Sequence, residues 1–515
     1  MAILSAPTYA LQPSAQQVPT ATNYMSSFSF LNQYLPDTYE QEFERYGNRS
    51  VASFLRMVSA ELPCASDQIK WGEQGRLHIK YTNCTLAIVT ANKTATLTIP
   101  VNANSDITTA NQNPLNTNAV AAPWNPGVGT ASLRVGQTIL LQKTAGANSS
   151  TTVGLQNKAI VTAVTIGNGT AATTADIAFY ESTVNFLGTS GGSPDATERI
   201  SVFIYGSEFK KGQNGMVGSL EAQDNFFTNN PIILKDNYTV NGSDMAFVGW
   251  VEVTDDAGKP GYLWYLKSQH ETRMRFDDYL ETSMLEAVPA ETNSGAIAAS
   301  MMGSQGVFYV VNNRGNVWGA GNPSSLSDWD SIVARLDQQG AIEENVVFHN
   351  RSLGFAVDNM LASVNGGTTG GSGTTYSASF GLFENDTQMA LNLGFSGFRR
   401  GYDFYKTDWR YLNDPTMRGG MNITNTAVST AITGLLVPAG STNIYDQVLG
   451  QNLKRPFLHV RYRASEMEDR KYKTWITGSA GGAQTSDLDA MTVNFLSERC
   501  VCTLGANNFL LFRYG

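Results

Sequence analysis

Chemistry needs particular side chains at particular spacings, and this chain offers few such constellations. Four histidines stand singly at His78, His270, His349 and His459, none of them in the HExxH or another metal-ligating spacing. Cys500 and Cys502 are two apart in a strand-like run, so both thiols face one way, and no histidine lies nearby to complete a zinc site. With Cys64 and Cys84 they make four cysteines, too few for a disulfide framework at this length. They read as small buried hydrophobes of a reducing compartment. Gly188-Thr189-Ser190-Gly191-Gly192 matches G-x-S-x-G, but a nucleophile elbow needs a helix directly after it, and Ser193-Pro194 follows. The glycines of 366–373 never meet a Lys-Ser/Thr pair, so they form no phosphate loop. No spacing singles out the paired carboxylates of a glycoside hydrolase. The sequence therefore predicts no catalytic residue, no metal and no cofactor.

What remains is architecture. At 515 residues the chain exceeds one core and should divide into several lobes. Only 15% of its residues are charged, against roughly 25% in an average globular protein. Asn, Thr, Ser, Ala and Gly take their place, which suits a surface covered by copies of the same chain. A net charge of −9 argues against a DNA- or membrane-binding face, either of which wants a basic patch. No basic start with a long apolar run reads as a secretory signal, and no stretch of about eighteen apolar residues is available to span a membrane.

The organising element is a long helix over about Tyr265–Val288. Ser268 with Glu271 reads as its capping box, and Pro289 ends it. Phe276, Tyr279, Leu280, Met284, Ala287 and Val288 recur at three- and four-residue spacing and share the face expected to be buried. Asp277, Asp278, Glu281 and Thr282 fall on the face expected to be solvated.

Residues 1–36 carry no charge and four prolines, yet hold Tyr24, Phe28, Phe30 and Tyr34. This reads as an extended arm docking on a neighbour, with a disordered leader as the alternative. Short helices over 37–62 and a hairpin through Trp71 to Tyr81 follow. From 86 to 194 charge nearly disappears and short β-runs recur (Ala87–Val89, Ala95–Val101, Thr138–Gln142, Ala159–Ile166, Ala175–Tyr180), which predicts a small all-β module inserted in a host. Ile200–Tyr205 reads as a strand resuming that host, and Ser207–Asn241 as a long excursion carrying Lys210, Lys211, Phe226 and Phe227. Beyond the helix come strands at Val307–Val311 and Asn316–Trp318, a helix capped by Ser327 and ended by Gly340, a strand at Glu344–His349, a helix over Leu353–Val364, and strand-like runs to the end. Strands and helices mix without βαβ regularity, so the class is α+β.

An apolar arm, a long β excursion, one long helix, an α/β lobe and a return of strands resembles the HK97-type major capsid proteins of tailed bacteriophages. Lys267–Val288, Trp329–His349 and above all Phe383–Leu412 (FENDTQMALNLGFSGFRRGYDFYKTDWRYL) carry the resemblance. With Met491–Gly515, the last of these is similar to capsid proteins of crAss-like phages of Bacteroidales. The resemblance implies an HK97-like fold with an N-arm (1–36), N-terminal helices and the start of an E-loop (37–85), an inserted all-β domain (86–194) and an E-loop continuation (195–262). It further implies a peripheral domain with the spine helix (263–322), an axial domain (323–450) and C-terminal strands returning to the periphery (451–515).

The implied function is a virion shell of pentamers and hexamers of one chain, assembled in the host cytoplasm around double-stranded DNA contacted only non-specifically. Portal, auxiliary or decoration proteins and head fibres are the implied partners, with no enzyme activity and no membrane. The spine face (Phe276, Tyr279, Leu280, Met284, Val288) is then structural, and Lys210, Lys211, Phe226 and Phe227 are candidates for contact between subunits. Some family members join an E-loop lysine to a neighbour's asparagine. Nothing here identifies the acidic residue that promotes the reaction, so no cross-link is expected. A surface-layer or adhesin-like β-protein remains the alternative class, and a polysaccharide-acting enzyme a further one.

Overall fold

The computed structural model describes residues 54–55, 60–74, 78, 80–90, 93–99, 133–144, 156–166, 172–182, 199–218, 224–245, 252–254, 260–365, 396–422, 431–446, 451–480, 482 and 484–514. The arm, most of 37–62, the Gly188–Gly192 motif and the glycine tract at 366–373 lie outside the described residues, as does most of 383–396.

In chain order, β1 (Ala60–Cys64) and β2 (Ile69–Gln74) lead into β3 (Lys80–Thr90), β4 (Thr94–Ile99), β5 (Gln137–Thr144), β6 (Gln156–Thr165), β7 (Thr173–Phe179) and β8 (Arg199–Ser207). Next come β9 (Asp224–Asn229), β10 (Ile232–Asn241), the single turn α1 (Gly242–Met245), the hairpin β11 (Glu252–Thr254) and β12 (Pro260–Tyr262), and the long helix α2 (Leu263–Glu286). A second set runs α3 (Gly295–Ala298), α4 (Val307–Arg314), β13 (Asn316–Trp318), α5 (Leu326–Gln339), β14 (Glu344–His349), α6 (Arg351–Asn365), β15 (Gly397–Arg400), β16 (Tyr402–Asp408) and α7 (Arg418–Met421). The chain closes through β17 (Ile432–Pro438), β18 (Ser441–Asp446), β19 (Gln451–Pro456), β20 (Leu458–Arg463), β21 (Lys473–Gly478), β22 (Ala490–Thr503) and β23 (Leu510–Arg513). The class is α+β. The chain divides into two compact units, and each is described by itself.

The described part of the first unit is Ile233–Thr282 with Tyr462–Arg499. Here β22 has β21 on one edge and β10 on the other, the latter joined through a 3.0 Å hydroxyl contact between Thr239 and Thr492. Met491, Val493 and Phe495 alternate along β22 and pack against Phe276 and Leu280 of α2. The Phe276 ring stacks on Phe495 at 5.8 Å and meets the edge of Tyr472 at 5.4 Å. The helix starts at Leu263, so Ser268 and Glu271 are interior rather than a cap; the Ser268 carbonyl accepts the Thr272 hydroxyl. Asp278 and Glu281 are buried and Tyr279 is exposed, contrary to the single-face reading. The helix is covered on more than one side, so its buried surface is not an apolar stripe.

The second unit holds a closed barrel of order β3-β4-β7-β6-β5-β8. Its sequence alternates because a closed barrel has an inside and an outside, and successive strand residues point to opposite faces. β4 reads partly buried, buried, three times over, and Leu97, Ile139, Leu141, Ile177 and Val202 are wholly inaccessible. The Ile200–Tyr205 run belongs to the barrel and does not resume a host, since β8 pairs with both β3 and β5 and closes it. The barrel strands therefore run from Lys80 to Ser207, further on both sides than the charge-poor tract. A charged residue at the start of each of β3 and β8, Lys80 and Arg199, hides their membership from composition.

The same unit carries a six-stranded mixed sheet of order β13-β23-β17-β14-β16-β15. Every residue of β17 is buried. Trp329 of α5 is inaccessible, its ring 4.8–5.9 Å from Phe398, Phe404 and Phe512. The α5 cap is Ser325 and not Ser327: the Ser325 hydroxyl accepts from the Asp328 N–H, while the Asp328 carboxylate accepts from the Ser325 N–H. Gly340 ends the helix in the left-handed region, as its position suggests. Val307–Val311 is the helix α4 and not a strand. Val307, Val310 and Val311 are buried at helical spacing, and the period-two match of Val307, Tyr309 and Val311 is coincidental.

Candidate functional site

Among the described residues no three His, Cys, Asp or Glu side chains are arranged to hold a metal ion. The histidines do not converge. His78 and His270 are exposed, while His349 and His459 are buried on different strands. Cys500 and Cys502 do share a face, and Cys64 of β1 packs against them. The sequence reading missed His459, which hydrogen-bonds Cys502 from the adjacent β20. Strand pairing brings it there, a signal that local spacing cannot carry. Cys500 donates to Cys502, and that bond together with burial pushes the Cys500 thiol up. Cys500 and Cys502 are closed off from solvent, so the cluster reads as packing.

The ribbon β2–β9 is built differently. Trp71 lies opposite Phe227 in register, and both rings face the guanidinium of Arg314 at the end of α4, 5.8 Å and 3.8 Å from the ring centroids. Burial lowers the affinity of Arg314 for its proton, and the Glu73 carboxylate opposes this. The Glu73 carboxylate also accepts from the Trp71 indole at 3.1 Å and from the Gly505 N–H at 3.0 Å. Asn229 fixes the far end of β9: its amide donates to the Val501 and Gln305 carbonyls, and its oxygen accepts from Ser304 and the Gln305 N–H. One face of the ribbon is thus held down.

The other face is open. Phe226 is 61% exposed, with the Lys70 ammonium 4.5 Å from its ring. The adjacent phenylalanines are therefore split by the pleat, Phe227 toward Arg314 and Phe226 toward solvent. Lys210 and Lys211 lie in the turn after the barrel, both exposed; the Lys210 N–H donates to the Gln213 side chain at 3.1 Å. Of the helix residues singled out, Phe276, Leu280 and Met284 are buried, whereas Tyr279 and Val288 are exposed. The structure does not gather the helix and ribbon residues into one pocket. What it offers is surface, with Phe203, Tyr205 and Tyr180 also exposed on the barrel.

No known family profile matches this chain, and no curated protein does. Similar solved structures include a chain of Microbacterium phage Oxtober96, at 8% identity over 93% of this chain and 96% of that one, with a TM-score of 0.36. The capsid of a native GTA particle is similar at 8% identity over 96% and 100%, with a TM-score of 0.34. The SrpI encapsulin of Synechococcus elongatus PCC 7942 is similar at 9% identity over 57% and 77%, with a TM-score of 0.30.

Proposed function

We propose that this chain is a major capsid protein of the HK97 type, a mechanical subunit whose copies build the icosahedral head of a tailed phage. The reading rests first on the sequence resemblance, whose most specific stretch is Phe383–Leu412. The structural observation that carries it furthest is the ribbon β2–β9. A two-stranded ribbon is at best marginally stable alone in water. This one is anchored on one face by Arg314 and Asn229 while its other face presents Phe226 to solvent. A second copy covering Phe226 would bury it, and an exposed Phe is worth roughly 1.5–3 kcal/mol when fully buried.

On this reading β2 and β9 form the root of an E-loop that carries the barrel, α2 is the spine helix, and the six-stranded sheet is the axial domain. Pentamers and hexamers form the shell, residues 1–36 are an arm that crosses a neighbour, and portal and decoration proteins or head fibres complete the virion. A net charge of −9 suits a wall that must not grip packaged DNA tightly. The similarity to capsids of crAss-like phages belongs to the same proposal. Electron microscopy of the overexpressed full chain tests it. Closed shells or tubes built from rings of five and six are expected, whereas a chain that stays monomeric at all concentrations and salts, or forms flat sheets, would overturn it.

A further inference from the structure

The outer wall of the barrel carries a second exposed aromatic surface, separate from Phe226 of the ribbon. Antiparallel register sets Lys158 of β6 and Phe203 of β8 on either side of Leu140 of β5, so outward side chains of β6 and β8 share one patch of the outer wall. Tyr180, just after β7, and Tyr205 of β8 belong to this patch, 47% and 46% exposed. The Tyr180 hydroxyl donates to the Glu208 carboxylate at 2.5 Å, which fixes the ring while leaving it open to solvent. The Lys158 ammonium lies 5.8 Å from the Tyr205 ring. Beside it the Glu181 carboxylate accepts from the Lys158 N–H at 3.0 Å and from the Asn157 amide at 3.2 Å. Two exposed aromatic rings, one of them held by a hydrogen bond, are thus flanked by the hydrogen-bonded carboxylates of Glu181 and Glu208 and by the Lys158 ammonium.

We propose that this patch binds glycans, taking neutral pyranose units against the rings of Tyr180 and Tyr205. A pyranose has an apolar C–H face, which suits an aromatic ring, and an edge of hydroxyls able to donate to Glu181 and Glu208 and accept from Lys158. The same groups disfavour the other occupants. The centre of a protein interface is depleted of Glu and Lys, because drying a charge without a partner is costly. Two carboxylates on a chain of net charge −9 repel a nucleic acid backbone. A polyol keeps water around the charges while covering the rings. The patch is a platform rather than an enclosed pocket, so binding is expected in the millimolar range, about 4 kcal/mol.

The test uses the full chain and four probes, maltohexaose, cellohexaose, chitohexaose and mannohexaose, with saturation-transfer NMR and affinity electrophoresis as readouts. At least one probe is expected to bind. Tyr205→Ala and Tyr180→Ala should each weaken that binding by several-fold to about tenfold, the worth of one aromatic contact. Tyr180→Phe keeps the ring and should retain most of it. Tyr205→Leu preserves apolar bulk without the ring and guards against an alanine variant that fails to fold. Failure of all four probes to bind would overturn the proposal, as would binding indifferent to Tyr205→Leu and Tyr180→Ala together. Loss of self-association in the double variant, with sugar binding untouched, would assign the patch to protein contact instead. Sugar binding is read on the chain whatever its state of assembly, so this result and that of the microscopy stand apart.

Discussion

The barrel and the six-stranded sheet lie in the same unit, yet they are stabilised by different means. The centre of the barrel is apolar, with Leu97, Ile139, Leu141, Ile177 and Val202 enclosed and Cys84 among them, its thiol pushed up to about 12 by burial, while Gln137, Lys143, Asn157 and Thr173 are buried toward the strand ends. The sheet core instead admits polar groups. Lys406 of β16 pairs with Asp358 of α6, their side chains 7% and 15% exposed, and His349 lies beneath the same helix. An enclosed apolar core is held by area alone and tolerates no charge. A core with ionic pairs holds only while each charge keeps its partner.

The largest effect should come from charging the barrel. Leu141→Asp places a carboxylate among the apolar side chains of the barrel's central cluster, and should cost about 4 kcal/mol or more. Soluble yield and far-ultraviolet dichroism of the full chain should both fall. Phe203→Ser on the same barrel removes a partly exposed ring and should stay within about 1 kcal/mol of the parent. Equal behaviour of the two variants would mean that the inward and outward faces are assigned the wrong way round.

The sheet should respond to partner loss. Lys406→Met strips the cation from Asp358 and should cost about 3 kcal/mol, because the carboxylate stays buried. Removing both charges with Lys406→Met and Asp358→Leu should recover most of the loss. Thermal melts of the single and double variants give the answer; a double variant as unstable as the single would show that the pair is not the relevant interaction.

The same contrast explains what could be read from sequence. All five charge-poor β-runs fall on barrel strands, since alternation and enclosure are one fact there. The limits of the barrel were not legible, because Lys80 and Arg199 carry charge on strands that nevertheless close it. In the sheet, β14 and β13 were readable as short apolar runs, but α4 passed for a strand because its buried residues, Val307, Phe308, Val310 and Val311, form an apolar run too short to reveal a helical period. The long helix failed in the same way: its extent was nearly right, while Asp278 and Glu281 were placed in solvent. The split of Phe226 from Phe227 follows from the strand pleat, but which of the two faces outward depends on Arg314, far away in sequence. The pairing of His459 with Cys502 was likewise beyond local patterns.

The smallest expected effect is on pH dependence, and it too separates the two regions. His349 sits with its Nδ1 2.9 Å from the Asn350 carbonyl oxygen and its ring against Gly354, where an added Cβ would come within 2.6 Å of the imidazole. Burial is the main cause that lowers its pKa from the ordinary histidine value; the Asn350 carbonyl opposes this, the Lys406 ammonium adds to it, and Asp408 and Asp358 oppose it. Below about pH 6.5 the unfolded chain takes up a proton at this residue that the folded chain declines. The stability contributed by keeping His349 neutral is therefore full above that pH and is lost as pH falls toward the lowered folded value. His349→Gln should be somewhat less stable at pH 7.5 but should lose less on acidification to pH 5.5, so the two melting curves converge. The barrel's apolar cluster holds no histidine among its described residues, and a probe on its strands should show no such convergence. A His349→Gln variant whose melting temperature falls with pH as steeply as the parent's would place the acid-sensitive group elsewhere.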